Sequence, residues 1–258
     1  FVENNTTHRR QHMNNNQATI AKMKEMRLHG MAHAFQTTLE AGMNEKLTPD
    51  ELLTHLIDSE WDERKDRKRD RLRKAAGFRY QASFAELDLH FDRKLDKNQM
   101  LRLTDCSWLK NGKDILITGP TGVGKSFIGS ALGHLACEHG HKVLYRITGR
   151  LLGSLKKSKR DGSYLKMLSK LYKTDLLILE DFGLSMFDNE SRLALLDIME
   201  DRHGRKSTIF LSQLPVASWH GIIGDSTIAD AIMDRIVYSS HRFELEGDSM
   251  RKKMYKNH

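Results

Sequence analysis

The sequence lacks any long apolar segment. None of its apolar runs approaches the roughly 18 residues that a membrane-spanning helix needs. Its first residues also lack the charged start, apolar middle and small-residue cleavage site of a secretory leader. These absences argue against membrane insertion and secretion, so we expect no membrane partner and a soluble, cytoplasmic protein.

Cysteine is scarce as well. The two cysteines, Cys106 and Cys137, stand in unrelated contexts without the spacing of metal ligands, so we expect no disulfide framework and a reducing compartment. The chain also lacks zinc-finger spacing, the "GFGF" type of aromatic platform found in RNA-binding modules and a clear DNA-reading helix. It does not contain the constellation of acids of a transposase nuclease, so we do not expect it to cut or join DNA.

What the chain has in excess is positive charge. Its 42 lysines and arginines exceed its 34 acids and give a formal net charge of +8, with a pI near 9.4. Clustered cations gain affinity for nucleic acid by releasing phosphate counterions, so this charge favours a polyanionic partner, although solubility alone is the simpler explanation. The 258 residues, 39% of them hydrophobic, suffice for one α/β domain of ordinary size and a smaller appendage.

The amino-terminal part of the chain predicts a tail and a small all-helical domain. Residues 1–17 are polar, asparagine-rich and aperiodic, which predicts disorder, and the part up to residue 12 is interpretable as tag-derived. Residues 18–77 carry apolar residues at helical spacing, with a break expected at Gly30. A second helix is expected to start at "LTPDELL", where Thr48 and Glu51 form a capping box.

The remainder of the chain alternates short apolar runs with helical segments. We interpret residues 78–113 as a connector and the start of the second domain, and residues 114–258 as its core. The predicted strands are the five runs "DILITG", "KVLYRI", "DLLILED", "STIFLSQ" and "HRFELEG". Alternation of buried strands with helices predicts an α/β fold with a five-stranded parallel sheet flanked by helices. Little chain follows the last run, so no separate lid domain is expected.

The segment "GPTGVGKS" matches the phosphate-binding pattern G-x-x-x-x-G-K-[ST] in full, and it lies between a predicted strand and a predicted helix. Backbone N–H groups are expected to surround phosphate oxygens, with Lys125 at the β and γ phosphates and the Ser126 hydroxyl at Mg²⁺. The pattern implies a nucleotide with Mg²⁺, but by itself it does not distinguish kinases, GTPases and ATPases. The residues expected to contact the nucleotide are Gly119, Pro120, Thr121, Gly122, Val123, Gly124, Lys125, Ser126 and Phe127.

The run "DLLILEDFG" delivers two adjacent acids, Glu180 and Asp181, to the end of a predicted strand. In P-loop NTPases the first acid at this place helps to hold Mg²⁺ and is usually Asp, while the next acid, usually Glu, polarises the attacking water. The order here is the reverse, and the extra methylene moves the charge by about 1 Å, which is enough to affect turnover. Two solvated acids at a strand end are the alternative interpretation.

Four segments of the chain together resemble one protein family. They are "GPTGVGKSFIGSALGHLACEHGHKVLYRI", "DLLILEDFGL", "FLSQLPVASWH" and "IADAIMDRIVYSSHRFELEGDSMRK". In this order they look like the AAA+ ATPases of the IstB type, helper proteins of a bacterial insertion-sequence family, which are similar to the helicase loader DnaC and the initiator DnaA. The resemblance covers about residues 20–255 and implies the AAA+ P-loop NTPase fold.

The resemblance implies roles for further residues. Ser212 matches the sensor-1 polar residue, with Gln213 as the less favoured candidate, and Arg251 matches the sensor-2 arginine. Arg235 matches an arginine finger that completes the nucleotide site of a neighbouring subunit, which implies a head-to-tail homo-oligomer. Without the resemblance, surface ion pairs would be the preferred interpretation of both arginines.

The family pattern at the two acids is commonly Asp first, and Glu180 departs from it. The assignment is therefore made by position. Glu180 takes the Mg²⁺ role through a water molecule, and Asp181 takes the role of activating the attacking water.

Two basic stretches are candidates for contact with DNA. In "GRLLGSLKKSKRDG" no acid precedes Asp161, which favours phosphate contacts by Lys156, Lys157, Lys159 and Arg160. The other stretch, "ERKDRKRDRLRK", contains the candidates Arg67 and Arg71. Acids and bases alternate there at four-residue spacing, which is equally typical of a solvated helix face.

Together these features favour an ATP-dependent, DNA-binding ATPase that oligomerises on double-stranded DNA. The resemblance adds the role of a transposition helper that takes part in target-DNA selection and stimulates a partner transposase. A helicase loader that prefers single-stranded DNA is the alternative on the same fold. A small-molecule P-loop kinase is a third interpretation, but the sequence shows neither a substrate lid nor an acceptor pocket.

Overall fold

The computed structural model of the protein describes residues 15–43, 46–89, 93–238 and 240–250. The chain divides into two compact units, Phe1–Asp70 and Arg71–His258. This division falls inside the predicted helical domain rather than at its expected end at residue 77. Over the described part of the chain, no helix is long and apolar enough to span a membrane.

The first unit is helical. Helix α1 covers residues 15–25, α2 covers His29–Glu40, and α3 covers Pro49–Ala76 and so continues beyond the unit. Helix α1 begins inside the segment expected to be disordered, and residues 1–14 of that segment lie outside the described residues. The predicted capping box is confirmed, because Thr48 N donates to Glu51 Oε2 at 2.8 Å and Glu51 N donates to Thr48 Oγ1 at 3.4 Å.

The helical break predicted at Gly30 is wrong. The chain turns at Arg27, whose φ is 61°, and Gly30 lies buried in the first turn of α2. A β-carbon at Gly30 would lie 2.4 Å from the Ser59 carbonyl oxygen, so glycine permits the close approach of α2 to α3. The buried Glu60 carboxylate accepts hydrogen bonds from Gly30 N at 2.8 Å and Met31 N at 3.3 Å, which stabilises the start of α2.

The second unit is built on a five-stranded parallel sheet with the order β2-β3-β4-β1-β5. Its strands are β1 (Ile115–Thr118), β2 (Val143–Ile147), β3 (Leu176–Glu180), β4 (Ser207–Ser212) and β5 (His241–Glu244). Strands β1, β3 and β4 are buried along their whole length, as apolar runs covered on both faces should be. The predicted fold class is confirmed, and the carboxyl ends of these three neighbouring strands meet at one edge of the sheet.

Helices cover both faces of the sheet. After α3 they are α4 (Lys97–Leu101), α5 (Ser107–Lys110), α6 (Lys125–Glu138), α7 (Thr148–Arg160), α8 (Tyr164–Tyr172), α9 (Asn189–Arg202), α10 (Trp219–Ile223) and α11 (Ser226–Val237). Within the described residues, 3-10 turns lie at Phe84–Glu86 and Val216–Ser218. The end of α3, the connector and α6 pack on one face of the sheet, while α7, α9, α10 and α11 pack on the other.

Candidate nucleotide site

The predicted phosphate-binding segment forms the loop between β1 and α6. The backbone at Gly122 and Gly124 has φ values of 93° and 97°, in the left-handed region that favours glycine. Lys125 and Ser126 are the first residues of α6, so their side chains and the unpaired N–H groups of the helix start lie next to the end of β1. The strand, loop and helix setting expected for this segment is confirmed.

The Lys125 ammonium is buried in this loop. Its Nζ donates hydrogen bonds to the carbonyl oxygens of Gly119 and Pro120 at 2.7 and 2.8 Å, and only 8% of the residue is exposed. Burial lowers the pKa of Lys125, whereas the negative charges of Asp181 and Glu180 raise it. The loop therefore holds a buried cation near two acids, an arrangement suited to a phosphate group and its metal ion.

Ser126 and Glu180 are joined directly. The Ser126 Oγ donates to Oε1 of Glu180 at 2.6 Å, and Nη1 of Arg79 donates to the same oxygen at 2.9 Å. The Glu180 side chain is 3% exposed, and its Oε2 is buried with no hydrogen-bond partner in the described part of the chain. The structure thus brings together the two residues predicted to hold Mg²⁺ and adds an arginine that the sequence did not indicate.

These side chains fit a Mg²⁺ ion. The buried Oε2 of Glu180 has no partner among the described residues, and a hydroxyl and a carboxylate are both oxygen ligands of the kind that Mg²⁺ prefers. The structure, over the residues it describes, has no group of three or more His, Cys, Asp or Glu side chains arranged to hold a metal. A Mg²⁺ ion at Ser126 and Glu180 would therefore take its remaining ligands from phosphates and water, as is usual for this ion at nucleotide sites.

Tyr145 of β2 lies beside this pair and is absent from the predicted site residues. It is 4% exposed, and its hydroxyl faces Glu180 and Ser126 without meeting hydrogen-bond geometry to a described residue. Burial and the negative charge of Glu180 raise the pKa of Tyr145, so its phenol stays protonated at neutral pH. In the sequence Tyr145 is one more strand residue of "KVLYRI", and no local pattern distinguishes it.

Asp181 follows β3 in the left-handed conformation, with a φ of 55°. This region is uncommon for residues other than glycine, although Asp is among those that enter it, and such strain is frequent at functional sites. Asp181 lines a pocket of about 310 Å³ together with Thr148, Lys156 and Asp188. Its negative charge also raises the pKa of Lys125. Asp181 is therefore a partly accessible carboxylate next to the phosphate loop, as a residue that takes a proton from water must be.

Ser212 and Gln213 at the end of β4 do not lie as the resemblance implied. Ser212 is fully buried, and its Oγ donates to the Phe182 carbonyl oxygen at 2.7 Å and accepts from Leu214 N at 3.1 Å. This hydroxyl is committed to the turn after β4. Gln213 is exposed, and its Oε1 accepts a hydrogen bond of 2.8 Å from Thr121 Oγ1 in the phosphate loop. The geometry favours Gln213 over Ser212 as the polar residue that contacts the nucleotide.

Arg235 lies on α11 and is paired within the chain. Its Nη2 forms an ion pair with Oε1 of Glu200, and its Nη1 donates to the Ala231 carbonyl oxygen at 2.6 Å. These contacts do not involve the phosphate loop. An arginine finger acts on the nucleotide of a neighbouring subunit, so it does not need to contact the phosphate loop of its own chain. Arg251 lies outside the described residues, so its sensor-2 role stays a prediction.

The basic stretch of α7 divides into paired and exposed residues. Lys156 is not the free cation that the sequence indicated, because its Nζ contacts the carboxylate of Asp188 and lies 3.6 Å from Oε2 of Glu190. Asp188 caps the amino terminus of α9, so the acids come from another element and cannot be inferred from the sequence of α7 alone. The exposed cations in the last turn of this helix are Lys157, Lys159 and Arg160.

The two candidates on α3 also differ. Arg67 lies 3.4 Å from both Glu60 Oε1 and Glu63 Oε1, so the ion pairing expected of a solvated helix face is present there. Arg71 is exposed. Arg67 is therefore a weaker candidate for a phosphate contact than Arg71.

Two segments that the sequence did not connect with the phosphate loop contact its backbone. Met250 N donates to the Gly122 carbonyl oxygen at 3.0 Å. The buried Arg93 donates from Nη1 to the Val123 carbonyl oxygen at 3.3 Å, and the same nitrogen lies 3.3 Å from Sδ of Met250. Burial lowers the pKa of Arg93. The loop is thus supported by the connector and by the segment after β5.

The phosphate loop between β1 and α6, the acids that end and follow β3, and the strand order β2-β3-β4-β1-β5 define an AAA+ P-loop nucleotide-binding protein. Solved structures with this fold include the DnaC helicase loader, with a TM-score of 0.50 and 19% identity over 57% of this chain and 86% of that chain. AMPPCP-bound DnaA from Aquifex aeolicus gives a TM-score of 0.56 and 18% identity over 70% of this chain and 55% of that chain. At these identities the similarity establishes the fold alone.

The chain belongs to the family of IstB-like ATP binding proteins, whose model matches residues 21–258. An insertion sequence ATP-binding protein of Sinorhizobium fredii is 42% identical to it over 234 residues, which are 91% of this chain and 96% of the relative. The family to which the sequence motifs pointed is thereby confirmed.

Proposed function

We propose that the protein is an ATPase that uses ATP hydrolysis to control its own assembly on double-stranded DNA, and that it acts there as the helper of an insertion-sequence transposase. The observation that carries the proposal is the hydrogen bond between Ser126 and Glu180, beside the buried Lys125 and next to Asp181. These groups are what Mg²⁺-dependent hydrolysis of ATP requires. The name of the relative from Sinorhizobium fredii supports the link with an insertion sequence.

In the proposed reaction the residues of the loop bind the phosphates, Glu180 helps to hold the metal ion, and Asp181 takes the proton. The loop N–H groups and Lys125 hold the β and γ phosphates, and Ser126 and Glu180 hold the metal ion. Bound Mg²⁺ would neutralise the charge that develops on the phosphoryl oxygens. Asp181 accepts the proton of the water that attacks the γ phosphorus, and Gln213 orients that water or the γ phosphate from the turn after β4.

Assembly enters the reaction through Arg235. As a finger it would leave the Glu200 carboxylate and pair with the γ phosphate held by a neighbouring subunit, where its delocalised charge stabilises the transferring group. Each nucleotide site would then be complete only at a subunit boundary. DNA contact is assigned to the exposed cations in the last turn of α7, which suit phosphate oxygens rather than base edges. Those cations are Lys157, Lys159 and Arg160.

Two measurements test this function together. ATP turnover is followed with no DNA, with a long duplex and with single-stranded DNA of equal length, and particle mass is followed by light scattering in the same samples. We expect particles larger than the monomer that require both ATP and duplex, and turnover that changes with duplex. A mass that stays monomeric, with turnover that ignores DNA, would contradict the proposal and favour a small-molecule kinase. Preference for the single strand would favour a helicase loader, the alternative raised by the fold shared with DnaC.

A further inference from the structure

Arg79 contacts the carboxylate that is assigned to Mg²⁺. Its Nη1 lies 2.9 Å from Oε1 of Glu180, the oxygen that also accepts the Ser126 hydroxyl at 2.6 Å. We propose that Arg79 and Mg²⁺ are alternative cations for this carboxylate, so that binding of Mg²⁺ with ATP displaces Arg79 from Glu180. This inference rests on the proposed use of Mg²⁺ by the site.

The burial of Glu180 explains why it takes a cation from the protein. Its side chain is 3% exposed, and a buried carboxylate is costly unless an opposite charge or hydrogen bonds compensate it. In the part of the chain that the structure describes, the ion pair at Glu180 is formed by Arg79. The guanidinium therefore stabilises the carboxylate at the position where the proposed function places a divalent ion.

The two cations exclude each other for a simple electrostatic reason. A metal ion held between the Ser126 hydroxyl and the Glu180 carboxylate would lie within a few ångströms of a guanidinium that remained on Oε1, and like charges at that distance repel strongly outside bulk water. The Ser126 hydroxyl can give a lone pair to the metal while it still donates to Oε1, whereas the Arg79 guanidinium carries a full positive charge and only donors.

The geometry of the connector lets Arg79 leave without unfolding it. The residues on either side are anchored to His134 of α6, since the Phe78 ring stacks on the imidazole at 4.2 Å and the Tyr80 carbonyl oxygen lies 3.2 Å from Nε2. The Arg79 side chain itself is 48% exposed. Its Cζ lies 5.6 Å from the centre of the Tyr80 ring, a cation–π contact that is made at the same time as the ion pair with Glu180.

The test measures how nucleotide binding depends on Mg²⁺, without using turnover. A fluorescent, non-hydrolysable ATP analogue is bound to the full chain in EDTA and then over a Mg²⁺ titration, for the unaltered protein and for Arg79→Ala and Arg79→Gln. We expect both variants to reach half-maximal Mg²⁺-dependent binding at a Mg²⁺ concentration lower by about twofold to fivefold, the range for a partly exposed ion pair. Affinity in EDTA should stay within about twofold of the unaltered value.

A matched control separates this effect from the loss of any arginine. Arg73→Ala removes an arginine whose Nη2 lies 2.8 Å from Oε1 of Glu138 on α6, an ion pair in the same unit that does not involve Glu180. Its Mg²⁺ midpoint should not move. Arg79→Gln guards against misfolding of the alanine variant, because it keeps a polar donor, on a shorter side chain, without the charge.

The contradicting outcomes are distinct. If both Arg79 variants melt at a lower temperature but keep the Mg²⁺ midpoint of the unaltered protein, Arg79 is only a structural partner of Glu180. If they bind the analogue more weakly in EDTA, Arg79 contacts phosphate and does not compete with the metal. If the unaltered protein binds the analogue equally well with and without Mg²⁺, the proposed use of Mg²⁺ by this site is contradicted, and so is the competition between Mg²⁺ and Arg79.

Discussion

Thr121 in the phosphate loop donates a hydrogen bond of 2.8 Å from its Oγ1 to Oε1 of Gln213, the residue that follows β4. This contact ties the end of one strand to the loop after its neighbour in the sheet, since β1 and β4 pair directly. Ser212, one residue earlier, points its hydroxyl into the turn instead. Of the two adjacent polar residues, Gln213 is therefore the one that contacts the phosphate loop, and we propose it as the residue that responds to the γ phosphate.

We expect Gln213→Ala to lower the rate of ATP hydrolysis and Ser212→Ala to lower the stability of the fold. Loss of Gln213 should lower kcat by about tenfold to a hundredfold with little change in melting temperature, because an exposed group that acts on the transferring phosphate is removed. Loss of Ser212 should leave two buried backbone groups without their partner and cost about 1–3 kcal/mol of folding free energy. Parallel ATPase and thermal unfolding measurements distinguish them, and equal kcat for Gln213→Ala and the parent would return the role to Ser212.

Arg235 and Asp181 can be tested as residues of one composite site. Each of Arg235→Ala and Asp181→Asn should bind ATP but hydrolyse it at least about a hundredfold more slowly, since one lacks the finger and the other the proton acceptor. Asn tolerates the left-handed backbone that Asp181 adopts, so the second change is mild for the fold.

Mixing the two variants should restore part of the turnover, because some boundaries then join an intact Asp181 to an intact Arg235. Glu200→Ala is the control for the finger, since it removes the ion-pair partner of Arg235 and leaves the arginine in place. A mixture no faster than its components would argue against a finger in trans. An Asp181→Asn protein as fast as its parent would assign the water-activating role elsewhere.

The cations of α7 predict a change in the salt dependence of DNA binding. Replacing Lys157, Lys159 and Arg160 by Ala should reduce the slope of log affinity against log salt by about 0.9 for each DNA phosphate that the variant no longer neutralises. Lys156→Ala is the matched control, because its charge is paired with Asp188 and its loss should leave the slope nearly unchanged. Binding isotherms on one duplex at several salt concentrations measure this, and an unchanged slope in the triple variant would remove α7 from the DNA site.

Asp114, the residue before β1, should make the fold sensitive to pH. Burial raises the pKa of Asp114 to about 7, although Thr208 N donates to its Oδ1 at 2.6 Å and the charge of Arg202 opposes the shift. In the unfolded chain the pKa is about 3.9, so the folded protein holds this proton more tightly. The contribution of Asp114 to stability is thus fully present below about pH 4 and is lost as the pH rises through 7.

The matching measurement compares melting temperatures of the parent and Asp114→Asn between pH 5 and pH 8. Asn keeps an acceptor for Thr208 N and cannot ionise. We expect the parent to lose about 5 °C relative to the variant across this range. If the melting temperatures of the two proteins change with pH in the same way, folding does not raise the pKa of Asp114, and the prediction is wrong.

The parts of this molecule that could be predicted from sequence are those set by local patterns. Buried strands show as short apolar runs, and the phosphate loop shows as fixed spacing between a strand and a helix. The partners of Glu180 follow no such pattern. Arg79 lies 101 residues before it in the chain, and the neighbouring strand supplies Tyr145.

The differences between expectation and structure have the same origin. Lys156 looked unpaired because its acids, Asp188 and Glu190, belong to another helix that folding brings against α7. Ser212 and Gln213 differ by one position at a strand end, where alternate side chains point to opposite faces and the tertiary fold decides which one reaches the loop. A glycine inside a helical pattern is typical of a helix break, but Gly30 lies where α2 and α3 approach each other closely.

Gly122 and Ser249 meet so closely that a β-carbon at position 122 would lie 2.2 Å from the Ser249 hydroxyl oxygen. The two positions thus share one small volume, although the phosphate loop and the segment after β5 are far apart in the chain. A bulky residue at position 249 would overlap the phosphate loop, just as a bulky residue at position 122 would overlap Ser249. We therefore expect close relatives to have only small residues at position 249. The shape of the phosphate loop thus also constrains a segment of sequence that carries no nucleotide-binding motif.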